Sequence, residues 1–334
     1  MTRWLSNATV AHLRRVAEWP DLGATKYRLL GELGRGGMGT VYLAEDTALG
    51  RRVALKVVAT AASAPEAAER MLREARILAR LEHPGIVPVH DAGALPDGRV
   101  FYAMKRVDGQ RLDALAGKVP LPERLRIFRR ICEAVAFAHA GGVIHRDLKP
   151  ENVMVGSFGE VLVMDWGVAK VLGESASPGP AAGGGPHGGP ADGAAQRTAA
   201  NSVRRTAEGT VIGTPDYMAP EQAEGAVERT GPRADVYALG GILAFLLQRD
   251  PQTPGPLAAV VAKARARRPE DRYGSAEELS AEVARYLGGE RVLAHSEGFL
   301  ERAGRVYARY RAAILLVAAY LVVRTLLLIF GRHP

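Results

Sequence analysis

What limits the fold of this chain most is how its glycine cluster, Leu33-Gly34-Arg35-Gly36-Gly37-Met38-Gly39-Thr40-Val41, is flanked. Tyr27 to Leu33 reads as a strand before it, Thr40 to Glu45 as a strand after it, and Arg52 to Ala59 as a third β-branched run. Strand, glycine-rich turn and strand predict a hairpin. Its loop lacks Cβ atoms at Gly34, Gly36 and Gly39, so backbone N–H groups can close on phosphate oxygens. A dinucleotide-binding fold needs a helix after its glycines, and here a strand follows. Taken alone, the loop is equally consistent with an ordinary glycine-rich turn.

The periodicity changes along the chain. Pro65 opens a helical run to about Leu81, closed by His83-Pro84-Gly85. Val87 to Asp91 and Arg99 to Val107 are strand-like. After Gly109 helices dominate, beginning with Pro122 to Ala140, which Gly141-Gly142 ends. Val153-Met154-Val155 and Val161-Leu162-Val163 flank a turn at Gly159. Residues 173–203 are rich in Gly, Pro and Ala with almost no charge; such a stretch cannot bury a core and is predicted to be disordered. Helices resume near Asp216 and run to Leu287. The pattern is α+β and bilobal: a small β-rich lobe with one helix, then a larger, mainly helical lobe over the rest of 27–287. Residues 1–26 form an extension, with a short amphipathic helix at Ala8 to Glu18 and no function assigned.

The 334 residues suffice for a sizeable core. The net charge of +8 raises nucleic-acid binding, but seven Arg and two Glu from Arg291 onward hold +5 of it, leaving +3 for the first 290 residues. A basic stretch beside an apolar one favours a membrane surface over a duplex groove, so no nucleic-acid partner is expected. The single cysteine, Cys132, allows no intramolecular disulfide and reads as a small buried side chain.

Five constellations carry chemistry. The glycine loop is the first. The second is Val53-Ala54-Leu55-Lys56, where Lys56 shares a strand face with Ala54 and Val58. A strand lysine is commonly solvated, but this one points between the lobes, with Glu74 as its candidate partner; Glu74 lacks a basic residue at i+4. The third is His145-Arg146-Asp147-Leu148-Lys149-Pro150-Glu151-Asn152. There Asp147 can orient the proton of an attacking hydroxyl, Lys149 can neutralise a γ-phosphate, and Asn152 can hold Mg²⁺. The fourth is Met164-Asp165-Trp166-Gly167, whose Asp165 is a hard carboxylate suited to Mg²⁺ bridging phosphates. The fifth is Gly213-Thr214-Pro215-Asp216-Tyr217-Met218-Ala219-Pro220-Glu221.

In this order and spacing the chain resembles eukaryotic-type (Hanks-type) serine/threonine protein kinases of the bacterial class over about residues 27–287. The resemblance implies a bilobal protein-kinase fold that binds ATP and Mg²⁺ between its lobes and acts on protein substrates. It makes Gly34 to Gly39 the phosphate loop, with Lys56 on the α/β-phosphates and paired to Glu74. Asp147 becomes the catalytic aspartate, with Lys149 beside it, and Asn152 and Asp165 the metal ligands. Val41, Ala54, Met104, Val107 and Met154 line the nucleotide site, with Met104 behind the adenine and Lys105 to Val107 as hinge. Lys149, in place of Ala or Arg, matches the serine/threonine type. Glu221 is expected to pair with Arg272. Arg146 implies a receiver for a phosphorylated loop residue, with Thr206 and Thr210 as candidate phosphorylation sites and a homodimer as one route to phosphorylation in trans. Three departures stand out: Trp166 where Phe is usual, the long insert, and a stretch after Gly240 short enough that a substrate-docking helix of the family is missing.

Ala312 to Phe330 is a 19-residue apolar segment, about 28 Å of helix against a hydrocarbon core of about 30 Å. Arg324 interrupts it at about 2.5–3.5 kcal/mol, against about 0.3–0.6 kcal/mol returned by each large apolar residue, so insertion is favoured. Arg302, Arg305, Arg309 and Arg311 precede it in the basic segment 288–311, and only Arg332 and His333 follow. The expectation is a single-pass transmembrane helix at 312–330 with the kinase domain cytosolic and no sensor domain beyond it. A buried or dimer-forming soluble helix is the competing reading. For function, the alternative is a pseudokinase, a nucleotide-binding scaffold acting by protein contact; the intact Lys56, Glu74, Asp147, Asn152 and Asp165 argue against it. A small-molecule phosphotransferase is disfavoured by the Gly213 to Glu221 stretch, which suits peptide docking.

Overall fold

A computed structural model describes residues 19–36, 39–57, 65–166, 170–171, 215–224, 230–248, 253–296, 298, 310 and 314–326. The first five strands, β1 (Tyr27–Gly36), β2 (Gly39–Asp46), β3 (Arg51–Val57), β4 (Val89–Ala94) and β5 (Val100–Lys105), form one antiparallel sheet in the order β1-β2-β3-β5-β4. Helix α1 (Pro65–Arg80) packs on it.

The alternation along β3 sorts its side chains between two cores. Val53, Leu55 and Val57 join Tyr42, Ala44, Phe101 and Ala103 on the outer face. Ala54 lies on the inner face with Met71, Ala75, Leu78, Tyr102 and Met104. The strand is therefore buried on both faces from Val53 to Val57. The reason is the chain before β1. Leu22 is 7% exposed and, with Leu95 from the β4–β5 turn, closes the outer face. The extension at 1–26 is described only from 19, and that part belongs to the small lobe. Tyr27 ties it down by donating to Asp91 Oδ2 at 2.9 Å, with Lys26 at 3.0 Å from the same carboxylate.

The large lobe is built on α3 (Leu121–Ala140), which follows the short strand β6 (Gly109–Arg111) and one-turn helix α2 (Leu112–Leu115). Pro120 and Pro122 suit its start, where N–H groups have no helical partner. Gly142, at φ 75°, ends it. Leu125, Phe128, Ile131, Cys132, Val135 and Ala138 are all fully buried, so Cys132 is a core residue and burial pushes its thiol far up.

Strands β7 (Val143–Ile144), β8 (Val153–Gly156), β9 (Val161–Val163) and β10 (Lys170–Val171) follow, then α4 (Pro220–Ala223), α5 (Pro232–Leu247), α6 (Gly255–Ala264) and α7 (Ala276–Leu287). Eleven of the sixteen residues of α5 are buried, so it is the central helix of this lobe. Its two glycines allow close approach. A Cβ on Gly240 would come within 2.8 Å of Ala264 Cβ, and one on Gly241 within 2.8 Å of the Tyr217 ring. Only residues 248–254 separate α5 from α6, too few for an added docking helix.

Among the described residues no helix is long and apolar enough to cross a membrane. The helix at 314–326 is shorter than the span expected at 312–330, whose remaining residues, 312–313 and 327–330, lie outside the described set. The insert at 173–203, together with Thr206 and Thr210, lies outside it too, as do Gly37 and Met38.

Candidate active site

Lys56 is placed by cross-strand register. On β3 it pairs with Val41 of β2 and Tyr102 of β5, and Ala54 pairs with Met104. Its stem is buried between them, and its ammonium emerges toward α1 and the start of the segment after β9. There Nζ lies 3.2 Å from each carboxylate oxygen of Glu74 and 2.9 Å from Asp165 Oδ1. The phenol of Tyr102 donates to Glu74 Oε1 at 2.8 Å. Burial favours a neutral amine, but the two carboxylates outweigh it and raise the pKa of Lys56, keeping it charged. Burial also opposes ionisation of Asp165, yet the Lys56 charge and hydrogen bond hold its carboxyl below the usual carboxylate range.

The loop between β7 and β8 carries the other site residues. Lys149 Nζ donates to Asp147 Oδ2 at 2.8 Å, and Asn152 Nδ2 donates to the Asp147 carbonyl at 2.8 Å and to its Oδ2 at 3.2 Å. Asp147, Lys149 and Asn152 are thus one hydrogen-bonded group, with the Asp147 side chain still 37% exposed.

What shapes this loop is a residue the sequence did not single out. Asp235, 1% exposed in the first turn of α5, accepts the backbone N–H groups of His145 (2.8 Å) and Arg146 (2.8 Å) and lies 2.8 Å from His139 Nε2. An acidic residue in a first helical turn reads as a dipole partner, and nothing local distinguishes this one. Its two bonds hold Arg146 at φ 70°, a left-handed conformation a non-glycine residue adopts only under constraint.

Among the described residues Asp165 is the other such non-glycine residue, at φ 62°. The departure at Trp166 changes packing as its size requires. The indole is 1% exposed, donates to the Val163 carbonyl at 3.3 Å, and lies against the His145 ring at 4.6 Å. His145 accepts the Asp147 N–H at Nδ1 (3.3 Å) and meets the Met164 carbonyl through Nε2 (3.0 Å), which fits a neutral ring protonated at Nε2. Trp166 therefore packs beside Asp165 and against the His145–Asn152 loop at once.

The donors fit Mg²⁺ in kind. Asp165 offers a half-exposed carboxylate, and Asn152, whose amide nitrogen is committed to Asp147, offers its amide oxygen. Among the described residues no group of three or more His, Cys, Asp or Glu forms a metal cage; one or two protein ligands are what Mg²⁺ ordinarily takes, beside waters and phosphate oxygens. The glycine loop fits phosphates: a Cβ on Gly34 or Gly36 would meet nothing within 4 Å, and Gly39 sits at φ 147°. Of the expected nucleotide-site residues, Ala54 and Met104 are buried in one apolar cluster, Val41 and Val107 pack against it, and Met154 is half-buried on β8.

Past the insert, Glu221 and Arg272 make a two-pronged pair at 2.7 and 2.8 Å. Gln222 donates to the Arg146 carbonyl at 3.0 Å, joining α4 to the catalytic loop. Gly213 and Thr214, also singled out in the sequence, lie outside the described residues.

A β-rich lobe, a helical lobe, a lysine joined to two carboxylates and an Asp-Lys-Asn catalytic loop define a protein-kinase architecture. The chain belongs to the protein kinase family: the model for the protein kinase domain matches residues 27–282. Its relatives include "Serine/threonine-protein kinase PknD" of Chlamydia pneumoniae, 34% identical over 306 residues, 79% of this chain and 31% of that protein. The protein of the same name from Chlamydia muridarum is 40% identical over 244 residues, 66% of this chain and 24% of that protein. The chain thus spans less than a third of the length of these relatives. Among solved structures, the Mycobacterium tuberculosis PknI kinase domain superposes with a TM-score of 0.54 at 28% identity, covering 78% of this chain and 96% of that one.

Proposed function

We propose that this chain transfers the γ-phosphoryl group of ATP to serine and threonine hydroxyls of proteins, and that its C-terminal helix tethers it to a membrane with the kinase domain on the cytosolic side. The observation that carries the first part is the convergence of Lys56 on Glu74 and Asp165, which joins the small lobe, α1 and the large lobe at one charged point. Lys56 binds the α/β-phosphates, its direction held by Glu74. Asp165 and Asn152 hold Mg²⁺, which when bound neutralises phosphate charge. Asp147 orients the attacking hydroxyl, and Lys149, 2.8 Å from it, faces the transferring group. A nucleotide-binding scaffold would use Lys56 and Glu74 but would leave the Asp147–Lys149–Asn152 group without a use.

Incubation with Mg²⁺ and ATP, followed by mass spectrometry, tests both the activity and its regulation. A generic protein substrate should become phosphorylated on serine or threonine. Thr206 or Thr210 should be modified in the wild type and unmodified in Asp147→Asn, because a phosphate of about −1.5 to −2 charge pairs well with the Arg146 guanidinium. A substrate modified while both threonines stay bare removes the regulatory part alone. No modification of any protein removes the kinase reading. A homodimer would allow this modification in trans.

The tether rests on exposure. Ile314, Leu315, Leu316, Val317, Leu321, Val322 and Val323 are each 42–72% exposed on the helix at 314–326. The full chain should pellet with membranes and resist carbonate extraction, and a chain ending at Gly304 should not. Equal solubility of the two would sink the tether.

A further inference from the structure

The Lys56–Glu74 pair has a third member that neither the family comparison nor the motif reading assigns. Tyr102 stands directly across the β3–β5 ladder from Lys56. Both side chains project to the inner face, toward α1. The Lys56 ammonium lies 5.6 Å from the Tyr102 ring centroid, and the Tyr102 hydroxyl donates to Glu74 Oε1 at 2.8 Å. All three groups are buried: Tyr102 is 2% exposed, Glu74 3% and Lys56 7%.

We propose that Tyr102 is a positioning residue for phosphoryl transfer: its phenol clamps the Glu74 carboxylate, and with it α1, in the orientation that aims Lys56 at the phosphates, before any nucleotide arrives. The physical case is one of geometry and number of donors. Lys56 sits symmetrically, 3.2 Å from both Glu74 oxygens, and it is also bound to Asp165 at 2.9 Å. It therefore stands between two carboxylates and does not by itself fix either. A rigid ring carried by a central strand does. Tyr102 has no flexible stem, its register is set by five successive β3–β5 pairs, and a hydrogen bond from a neutral donor to a buried carboxylate is among the stronger ones available. Without the hydroxyl, Oε1 would depend, among the described residues, on Lys56 alone, and the lysine could shift toward Asp165.

The inference rests on the kinase reading, so its test includes a measurement independent of catalysis. Tyr102→Phe removes one oxygen and keeps the ring. Tyr27→Phe is the control, since it also loses a phenol–carboxylate bond in the same lobe, to Asp91, but away from Lys56. In nucleotide-free protein, Tyr102→Phe should speed amide hydrogen exchange across α1 by about tenfold, the value of one charge-assisted hydrogen bond. Tyr27→Phe should leave α1 exchange unchanged. With ATP, KM should rise several-fold with a smaller change in kcat, because a misdirected Lys56 weakens phosphate binding first. In a Glu74→Ala background, where there is nothing to clamp, the same change should have no effect on KM; that arm also decides the matter if Tyr102→Phe folds poorly alone. Wild-type α1 exchange and wild-type KM in Tyr102→Phe would overturn the proposal. A wild type that transfers no phosphate would overturn the kinase reading and leave the exchange result to decide the clamp.

Discussion

Lys56→Met should lower phosphoryl transfer by roughly 10²–10³-fold, and Asp165→Asn by a similar factor, because each removes a fixed charge from the place where charge would develop in the proposed reaction. Methionine keeps the length and apolar character of the lysine stem, so packing between β2 and β5 survives. What it loses is the cation 3.2 Å from Glu74 and 2.9 Å from Asp165. Glu74 and Asp165 then lose the cation they share, and the group proposed to bind the α/β-phosphates is gone. Asp165→Asn is the complementary loss: the ammonium keeps Glu74 but the carboxylate proposed to hold Mg²⁺ is gone. Turnover of purified protein with Mg²⁺ and ATP measures both, with thermal melting to show that the variants fold. Near wild-type turnover in either would remove this site from the reaction.

Arg272→Ala should cost about 3–5 kcal/mol of stability, the range for removing one partner of a buried ion pair. The Arg272 side chain is fully buried and donates to both Glu221 oxygens and to the carbonyls of Ala266 (2.8 Å), Arg233 (2.9 Å) and Arg267 (3.0 Å). It also lies 4.9 Å from the Tyr237 ring centroid. One guanidinium thus ties α4, α5 and the α6–α7 connection together. Arg272→Lys should restore little, since an ammonium cannot reproduce the planar fork. Burial alone would raise the Glu221 carboxyl, but the Arg272 bonds outweigh it and hold the group low. Its stabilisation is therefore complete above the ordinary carboxylate range and lost as pH falls through the depressed folded-state value. Urea unfolding at neutral and acid pH reads both effects. A loss under about 1 kcal/mol, as for an exposed pair, would contradict the buried-pair account.

Much of this could be read without coordinates, for a physical reason. Strand and helix periods are local, and Tyr27 to Val57, Leu121 to Ala140 and Val153 to Val163 carry them openly. The chemistry was legible where several functional groups lie within a few residues, as in His145 to Asn152, since the loop brings them together by chain connectivity alone. The short strands β6, β7 and β10 were missed: two or three residues are too few for a period, and such pairs form only because a partner strand is held nearby.

The sequence by itself determined the two-lobe order, the loop chemistry and the identity of the charged groups at the centre. The tertiary structure alone decided which distant residues support them. Leu22 closing the outer face of the sheet, Trp166 filling the space beside His145, Asp235 gripping two backbone N–H groups 90 and 89 residues away, and Tyr102 reaching Glu74 across 28 residues are all such contacts. Each depends on burial and on the direction of a side chain in the packed molecule, and neither quantity has a local signature along the chain.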